Sequence, residues 1–354
     1  MHSSVCTETM TTMKSGKRKV TLTDVAREAN VSAATVSRLM RGAAAINADT
    51  RERVEKAASK LSFDLGGKKK TRIIAFLLSN RGVLHSFHSA VLMGAEAYCA
   101  EHDYGLLFLP LNYSLAAQAQ DVELPEILLG TRIVAGVIVA GSNSQNLLDV
   151  LSRQRMPWVV LGNNVVGGWE HDRPGCVFFD DIGGAAEITR YLISLGHRRI
   201  GFAGNLKLPW YLRRFQGYQQ AMEAAGLTPR GCDLASRDDE EMGYLATKVL
   251  LQSTLRVTAI FAGDDIAAHG VYKAARDLGL RIPEDLSVVG FNDTSEASAL
   301  HPPLTSMHVF TDELGRQLAE LLLSQIAHPE QTAGSLLMPT RLIRRESTIP
   351  PSGN

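Results

Sequence analysis

The chain has 354 residues, of which 45% are hydrophobic and 21% charged, a composition typical of a globular protein with two or three domains. No apolar stretch approaches the roughly 20 residues that a bilayer span needs, and the N-terminus lacks a signal-peptide pattern. We therefore expect a cytoplasmic protein that does not bind membranes. The four cysteines lie far apart without a C-x-x-C pair, so neither a disulfide framework nor a metal site is predicted.

The net charge is zero, but the charges are unevenly distributed. Residues 1–72 carry 15 Lys and Arg against 7 Asp and Glu, and residues 73–354 carry 22 against 30. A basic segment joined to an acidic body is typical of a protein whose small domain meets nucleic-acid phosphates. The alternative at this point is a solvated basic tail.

The N-terminal part predicts a small helical domain. Residues 1–16 show no apolar period and are expected to be a disordered lead-in, whereas residues 19–62 read as three short helices of a domain that spans 17–63. The predicted helix signals are a capping pattern at Thr21 and Asp24, a left-handed turn at Asn30, a serine cap at Ser32 before Ala33–Met40, and an asparagine cap at Asn47 before Ala48–Leu61.

Two short helices joined by a tight turn favour a helix-turn-helix, whose second helix enters the major groove of DNA. Small and polar residues on that helix would let it approach the bases closely, and Arg38 can reach a phosphate or a guanine edge. The alternative is a three-helix bundle with an ordinary solvated face. The predicted DNA-binding residues are Thr21, Ser32, Ala33, Ala34, Thr35, Ser37 and Arg38.

Residues 64–71 are predicted to be a short, flexible, basic linker, with Gly66-Gly67 followed by Lys68, Lys69 and Lys70. Beyond it, buried apolar runs alternate with amphipathic stretches, which predicts an α/β fold of parallel sheets flanked by helices. The remaining residues, about 280, are more than a single sheet of this kind usually holds, so two lobes are expected. The predicted strands are Ile73–Leu78, Leu106–Leu111, Ile133–Ala140, Trp158–Leu161, Val177–Phe179, Ile200–Ala203, Ala259–Ala262 and Ser287–Phe291, and the helices are Ser89–Glu101, Gly183–Leu195, Arg214–Ala225, Glu241–Leu251, Ala267–Leu278 and Glu313–Ile326.

Enzyme signatures are missing from the sequence. There is no G-x-G-x-x-G after the first strand, no P-loop, no H-E-x-x-H and no G-x-S-x-G. Asp180-Asp181 and Asp264-Asp265 follow predicted strands, where carboxylates serve as helix caps or ligand acceptors. We expect no catalytic residue and no cofactor. The alternative is a sugar-binding or NAD-dependent α/β protein with an accessory basic head.

The sequence resembles the lactose-repressor (LacI/GalR) family of transcription regulators. The likeness begins at Val20–Arg38 and continues in order over nearly the whole chain. The segments that carry it downstream are Thr50–Val54, Leu195–Gly201, Arg214–Tyr218, Ala259–Asp265, Ile282–Phe291, Pro302–Thr305 and Arg345–Ser347.

The resemblance implies a helix-turn-helix head and a core similar to periplasmic sugar-binding proteins, with a ligand held between lobes that the chain crosses three times. Lobe 1 would span about 72–179 and 309–338, and lobe 2 about 180–308 and 339–354. It also implies a homodimeric regulator, more often a repressor, that binds a pseudo-palindromic DNA operator. Its affinity for DNA would respond to a small polar effector, a sugar or polyol.

By position, Phe87 and His88 match the family's aromatic pair, Arg214 the arginine that grips effector hydroxyls, and Trp210 a wall of the site. Phe87 could equally belong to the core. Two departures bear on the ligand. Asp264 and Asn292 stand where the family has an amide and a carboxylate, so these groups look exchanged, and Gly162 replaces an acidic residue, which leaves Asn163 as the nearest polar group.

The linker also departs from the family, whose members carry a hinge helix with a leucine that enters the minor groove. Seven residues with paired glycines are too few for that helix. We expect the lysines to track phosphates and the operator centre to be kinked only slightly.

Overall fold

The computed structural model describes residues 20–40, 46–61, 63, 72–83, 85–129, 133–154, 156–167, 175–236, 238–252, 257–331 and 334–352. Its contacts divide the chain into two units, Met1–Thr71 and Arg72–Asn354, called here the head and the core. The lead-in predicted at 1–16 and the linker predicted at 64–71 lie outside the described residues. None of the helices in the described ranges is long and apolar enough to cross a membrane.

The described part of the head consists of helices α1 (Leu22–Glu28), α2 (Ala33–Met40) and α3 (Ala48–Lys60). They pack around small apolar side chains, with Val25, Val36 and Val54 fully buried. The predicted left-handed turn is confirmed, because Asn30 has a φ of +54°. The third helix ends one residue earlier than predicted, since Leu61 forms its C-cap.

Lobe 1 of the core is built on one parallel sheet. Its strands are β1 (Ile73–Ser79), β2 (Gly105–Leu111), β3 (Gly136–Gly141), β5 (Trp158–Leu161), β7 (Cys176–Phe179) and β13 (Ser335–Met338). They lie in the order β13-β7-β5-β3-β1-β2. Helices α4 (Ser86–Glu101), α5 (Gln145–Ser152) and α11 (Thr311–Ala327) accompany the sheet, and a short strand β4 (Asn143–Ser144) pairs with β6 (Val165–Val166).

Lobe 2 is built on a second sheet. Its strands are β8 (Ile200–Gly204), β9 (Gly231–Asp233), β10 (Ala259–Ala262), β11 (Ser287–Asn292), β12 (Thr305–Val309) and β14 (Thr340–Ile343). They lie in the order β14-β12-β11-β10-β8-β9, parallel except for β14 at one edge. The helices of this lobe are α6 (Asp181–Ser194), α7 (Pro209–Ala224), α8 (Asp239–Gln252), α9 (Asp265–Asp277) and α10 (Ser295–Ala299).

Within the described residues the chain passes between the lobes after Phe179, at Phe310 and at Pro339. The predicted α/β architecture with parallel sheets and flanking helices is confirmed. Burial explains the strands, because β1 carries the run Ile-Ile-Ala-Phe-Leu-Leu-Ser with every residue after the first buried.

Several predicted boundaries are wrong, and each error has a physical reason. The strand predicted from Ile133 begins at Gly136, since Ile133 lies half exposed outside the sheet. Helix α7 begins at Pro209 and not at Arg214, because proline fits the first helical turn. Elements α5, α10, β9, β12, β13 and β14 were not predicted from the sequence.

Helices α4 and α11 pack unusually closely in lobe 1. A Cβ atom added to Gly94 on α4 would lie 1.9 Å from the backbone oxygen of Asp312 on α11. The close packing of the two helices therefore requires glycine at position 94. This packing holds α4 in place, and the first turn of α4 reaches the space between the lobes.

Candidate functional site

The predicted DNA-reading face of the head is formed by α2. Ser32, Ala33, Ala34 and Arg38 are exposed, whereas Thr35 and Ser37 are half-buried. The predicted cap is confirmed, because the Ser32 hydroxyl accepts the backbone N–H of Thr35 at 3.1 Å. The side chains on the outer face of α2 are thus mostly short, which would let the helix approach base edges closely.

Thr21 lies at the other helix start of this motif. The Asp24 carboxylate accepts hydrogen bonds from the backbone N–H and the hydroxyl of Thr21, at 2.9 and 2.7 Å. The exposed hydroxyl of Thr21 is therefore oriented by α1 before any contact with DNA.

A shallow depression separates the first turns of α2 and α3. Asn47 caps α3 by accepting the N–H of Asp49 at 2.9 Å, as predicted. Two helix N-termini and one guanidinium make this depression suited to phosphate, since helix starts carry partial positive charge. Its lining residues are Val31, Ser32, Thr35, Arg38, Ile46, Asn47 and Thr50, of which Asn47 and Thr50 were not predicted as DNA contacts.

Ion pairs within the head neutralise part of its positive charge. Lys56 lies 2.7 Å from Glu52, and Lys60 lies 2.6 Å from Glu28. Arg38, in contrast, makes no ion pair with any carboxylate in the described residues. Its charge is available to a phosphate or to a guanine edge.

A cleft between the two lobes forms the candidate ligand site of the core. Its free volume is about 30 Å³, room for a water molecule, so the cleft is nearly closed and a larger ligand requires the lobes to separate. The residues come from the carboxyl ends of parallel strands and from helix starts, which meet at one edge of each sheet. The lining consists of Arg81, His85, Phe87, His88, Asn164, Phe179, Trp210, Arg214, Asp239, Asp264 and Asn292.

Arg214 lines this cleft, is 2% exposed and bonds three other residues of lobe 2. Its guanidinium donates to the carboxylate of Asp181 at 2.8 Å, the carbonyl oxygen of Gly263 at 2.8 Å and the side-chain oxygen of Asn292 at 2.9 Å. It also stacks on Phe291, 4.0 Å from the ring centroid. These bonds use three of the five N–H donors of a guanidinium, so Arg214 holds lobe 2 together in addition to lining the cleft.

Asp264 and Asn292, the two residues that look exchanged in the sequence, line the same cleft as Arg214. Asp264 caps α9, accepting the N–H of Ala267 at 2.7 Å. Asn292 has a φ of +102° and Asp293 a φ of +55°, backbone conformations that side chains rarely adopt. The chain therefore turns sharply just where Asn292 reaches the cleft.

The buried carboxylate of Asp265 holds this turn in place. It accepts the backbone N–H and the hydroxyl of Thr294, at 2.8 and 3.1 Å, and the hydroxyl of Ser306 at 2.6 Å. Burial raises the pKa of Asp265 to about 7. Asp265 is thus a positioning group beneath the cleft and does not line it.

Asp239 lies on the lobe 2 wall of the cleft. Its carboxylate accepts the hydroxyl of Tyr211 at 3.1 Å and the guanidinium of Arg81 at 3.2 Å. Burial, followed by the charge of Asp264, raises the pKa of Asp239 to about 6. Asp239 and Arg81 were both missed in the sequence, although Arg81 follows the end of a predicted strand.

Two histidines contribute neutral polar groups to the lobe 1 wall. Burial lowers the pKa of His85 and, more strongly, that of His88. Within the described residues, neither Nδ1 atom has a hydrogen-bond partner. Phe87 lines the cleft and also packs in the core, 5.8 Å from the ring of Phe179.

Asn163 is placed differently from the prediction. Its side-chain amide donates to the carbonyl of Phe179 and to Asp181, both at 2.8 Å, and its oxygen accepts the N–H of Phe179 at 2.9 Å. It therefore braces the end of β7 and is not part of the cleft lining, whereas its neighbour Asn164 is. A short 3-10 turn at Gly162–Asn164 decides which amide faces inward.

The two aspartate pairs take structural roles. Asp180 caps α6 by accepting the N–H of Gly183 at 2.7 Å, and Asp181 holds the guanidinium groups of Arg213 and Arg214. Asp264 caps α9 in the same way. Asp180 and Asp264 thus take the helix-cap role that the sequence predicted for such carboxylates, and Asp264 also lines the cleft.

Two family profiles match the chain, and both fit the two units of the fold. Residues 21–64 match "Bacterial regulatory proteins, lacI family", and residues 189–348 match "Periplasmic binding protein-like domain". The HTH-type transcriptional repressor CytR of Escherichia coli K12 is 32% identical, over 95% of this chain and 99% of its own length. The ribose operon repressor of Haemophilus influenzae is 30% identical, over 92% of this chain and 98% of its own length.

Two solved structures are similar over almost the whole chain. The transcriptional regulator CelR in complex with cellobiose has a TM-score of 0.68 at 29% identity, covering 93% of this chain and 100% of that one. The lac repressor dimer bound to operator and the anti-inducer ONPF has a TM-score of 0.70 at 24% identity, covering 94% and 100%. The second likeness is one of fold.

Proposed function

This chain belongs to the lacI family of bacterial regulatory proteins, and we propose that it regulates transcription in response to an uncharged sugar bound between the lobes of its core. Membership confirms the resemblance seen in the sequence, and with it a DNA-binding regulator with a helix-turn-helix. The two relatives described above are repressors by name, which supports repression as the mode of action. We further propose that the protein acts in the cytoplasm as a homodimer and binds a pseudo-palindromic operator.

For the head, we propose that α2 lies in the major groove with Ala33 and Ala34 against base edges. Arg38 supports this docking because it is exposed and makes no ion pair among the described residues of the head. The depression between α2 and α3 would receive a phosphate, with Asn47 and Thr50 at its rim.

DNA binding can be tested by mobility shift on DNA upstream of the protein's own gene at several salt concentrations. Affinity should fall steeply with salt, and Arg38→Ala should reduce the slope of log K against log salt by about 1 if Arg38 contacts a phosphate. Arg190→Ala, which removes an exposed arginine of the core, is the matched control. Larger polar residues at Ala33 and Ala34 should change base preference; an unchanged preference would contradict the docking.

For the core, the charge balance of the cleft is the observation that carries the proposed ligand class. Arg214 is paired with Asp181 and Arg81 with Asp239, while both histidines are neutral. A phosphate or carboxylate group on the ligand would need a free cation, and burying an unpaired charge is costly. Hydroxyl groups, in contrast, suit the remaining donors and acceptors.

The aromatic part of the lining is also of the chemical kind that binds sugar rings. Trp210 carries an aromatic face of the kind that stacks on the C–H side of a ring, a face over which Arg81 lies in this structure, and Phe87 and Phe179 lie in the opposite lobe. CelR was solved in complex with cellobiose, and one of the relatives is named for a ribose operon. These two proteins support a sugar as the first class to test.

Calorimetry with ribose, cellobiose and ribose 5-phosphate tests this proposal. We expect a neutral sugar to bind and the phosphorylated sugar to bind at least tenfold more weakly than ribose. Preferential binding of ribose 5-phosphate would contradict the charge argument. Binding of NADH, followed by its fluorescence, would instead favour the NAD-dependent alternative that the sequence left open.

A further inference from the structure

An ion pair crosses the cleft from one lobe to the other. Arg81 follows β1 in lobe 1, and Asp239 is the first residue of α8 in lobe 2; their nitrogen and oxygen atoms lie 3.2 Å apart. The side chains are only 16% and 6% exposed. The attraction between two charges so well shielded from water is screened less than in a surface salt bridge, and part of it offsets the cost of burying them.

The same guanidinium covers an aromatic surface. The central carbon of the Arg81 guanidinium lies 4.7 Å from the ring centroid of Trp210, which is a cation–π contact. Trp210 belongs to lobe 2, so Arg81 makes both contacts across the cleft. A sugar ring that stacks on this face of Trp210 would occupy the space of the guanidinium.

Both carboxylate oxygens of Asp239 already accept a hydrogen bond. One oxygen accepts the hydroxyl of Tyr211 at 3.1 Å, and the other accepts Arg81. Tyr211 is fully buried beside this wall and holds Asp239 in position. Each oxygen keeps a second lone pair, so a ligand hydroxyl at the outer oxygen of Asp239 would compete with Arg81 for that oxygen.

We propose that Arg81 is an interlobe latch, which holds the cleft closed in the absence of effector and competes with the effector for Trp210 and Asp239. The latch rests on the proposed function only where it concerns the effector. Its position sets the effector concentration at which the regulator responds, because displacing Arg81 is part of the binding reaction.

The latch itself is tested without ligand. In the full-length protein, Arg81→Met keeps the apolar stem but removes the charge, and Asp239→Asn keeps the shape of the partner. Both variants should shift the indole ¹H–¹⁵N resonance of Trp210 in the same direction and increase the radius of gyration in solution scattering. Arg190→Met, on the exposed face of α6, is the control and should change neither.

The two variants should also be non-additive, since each one alone already breaks the pair. Unchanged scattering and an unchanged Trp210 resonance in both variants would overturn the latch. Far-UV circular dichroism establishes that the variants are folded, and Arg81→Lys, which keeps the charge without the planar fork, should give an intermediate shift.

Competition with the effector is tested by calorimetry with ribose and cellobiose. For whichever sugar the wild type binds, Arg81→Met should bind it about tenfold more tightly, equivalent to about 1.4 kcal/mol. Weaker binding would make Arg81 a direct ligand contact, and equal binding would mean no competition; either result overturns the proposal. If neither sugar binds the wild type, the sugar proposal fails while the ligand-free experiments still decide the latch.

Discussion

Replacing Arg214 by alanine distinguishes two roles of this side chain, which are effector binding and stabilisation of lobe 2. In the family, this position is expected to grip the effector, yet here the guanidinium already joins Asp181, Gly263 and Asn292 within lobe 2. Because those bonds involve no ligand, Arg214→Ala should destabilise the fold even when no ligand is present.

The size of the effect follows from the partners that are left behind. Removing one member of a buried ion pair costs about 3–5 kcal/mol. Asp181 keeps part of its compensation, because Arg213 still donates to its second oxygen at 2.9 and 3.0 Å. The oxygens of Gly263 and Asn292 lose a donor, at about 1–3 kcal/mol for a buried group left unpaired. We expect a total loss of roughly 3–5 kcal/mol, since such terms overlap.

Thermal unfolding of the full-length protein measures this loss. At about 2 °C per kcal/mol for a domain of this size, the Tm of the core should fall by roughly 6–10 °C. Arg213→Ala is the matched control, because Arg213 contacts the same carboxylate from a less buried position and should cost less than half as much. Arg214→Lys should fall between the two, since lysine keeps the charge but cannot reach three acceptors at once.

A Tm for Arg214→Ala within about 2 °C of the wild type, the shift expected for only 1 kcal/mol, would refute this reasoning. It would mean that the three hydrogen bonds contribute little to the free protein. Arg214 would then act through the ligand alone, and its replacement would be visible only in effector binding.

Two further predictions concern packing and pH. Gly94→Ala should destabilise the core by about 1–3 kcal/mol, because the new Cβ would meet the backbone of Asp312, whereas Gly82→Ala, with nothing within 4 Å, should be neutral or slightly stabilising in the same denaturant titration. Asp265 has its pKa raised to about 7 by burial, so its contribution to stability is complete below about pH 4 and is lost as the pH rises to about 7. Asp265→Asn, which cannot ionise but can still bond Ser306, should therefore gain roughly 2–3 kcal/mol relative to the wild type between about pH 5 and pH 8. A stability difference that is the same at both pH values would contradict the raised pKa.

The head was predictable because its signals are local. Asn30 needs a left-handed conformation for a turn, and Ser32 and Asn47 bond backbone groups two or three residues away. Each of these interactions is complete within one turn of the chain. Sequence order alone was therefore enough to place α2 and its exposed face.

The central strands were predictable for a related reason. A strand buried on both faces must be apolar throughout, and such runs stand out in the sequence at β1, β3 and β10. The edge strands β9, β13 and β14 are short and partly exposed, so they lack that signature. Their place in a sheet depends on the neighbour that they pair with.

The residues of the cleft likewise include some that the sequence could place and one that it could not. Phe87, Trp210 and Arg214, which the resemblance to the family implied by position, line the cleft, but the sequence pointed to Asn163 where the 3-10 turn presents Asn164. Such a choice depends on how one short turn is oriented by Phe179 and Asp181.

The latch pair illustrates what only the tertiary structure could decide. Arg81 and Asp239 lie 158 positions apart in the chain, in different lobes, and neither belongs to a motif that would identify it. They meet because the carboxyl end of β1 and the start of α8 face each other once both sheets have formed. Contacts of this kind arise from the relative placement of whole sheets, and no local pattern of residues encodes that placement.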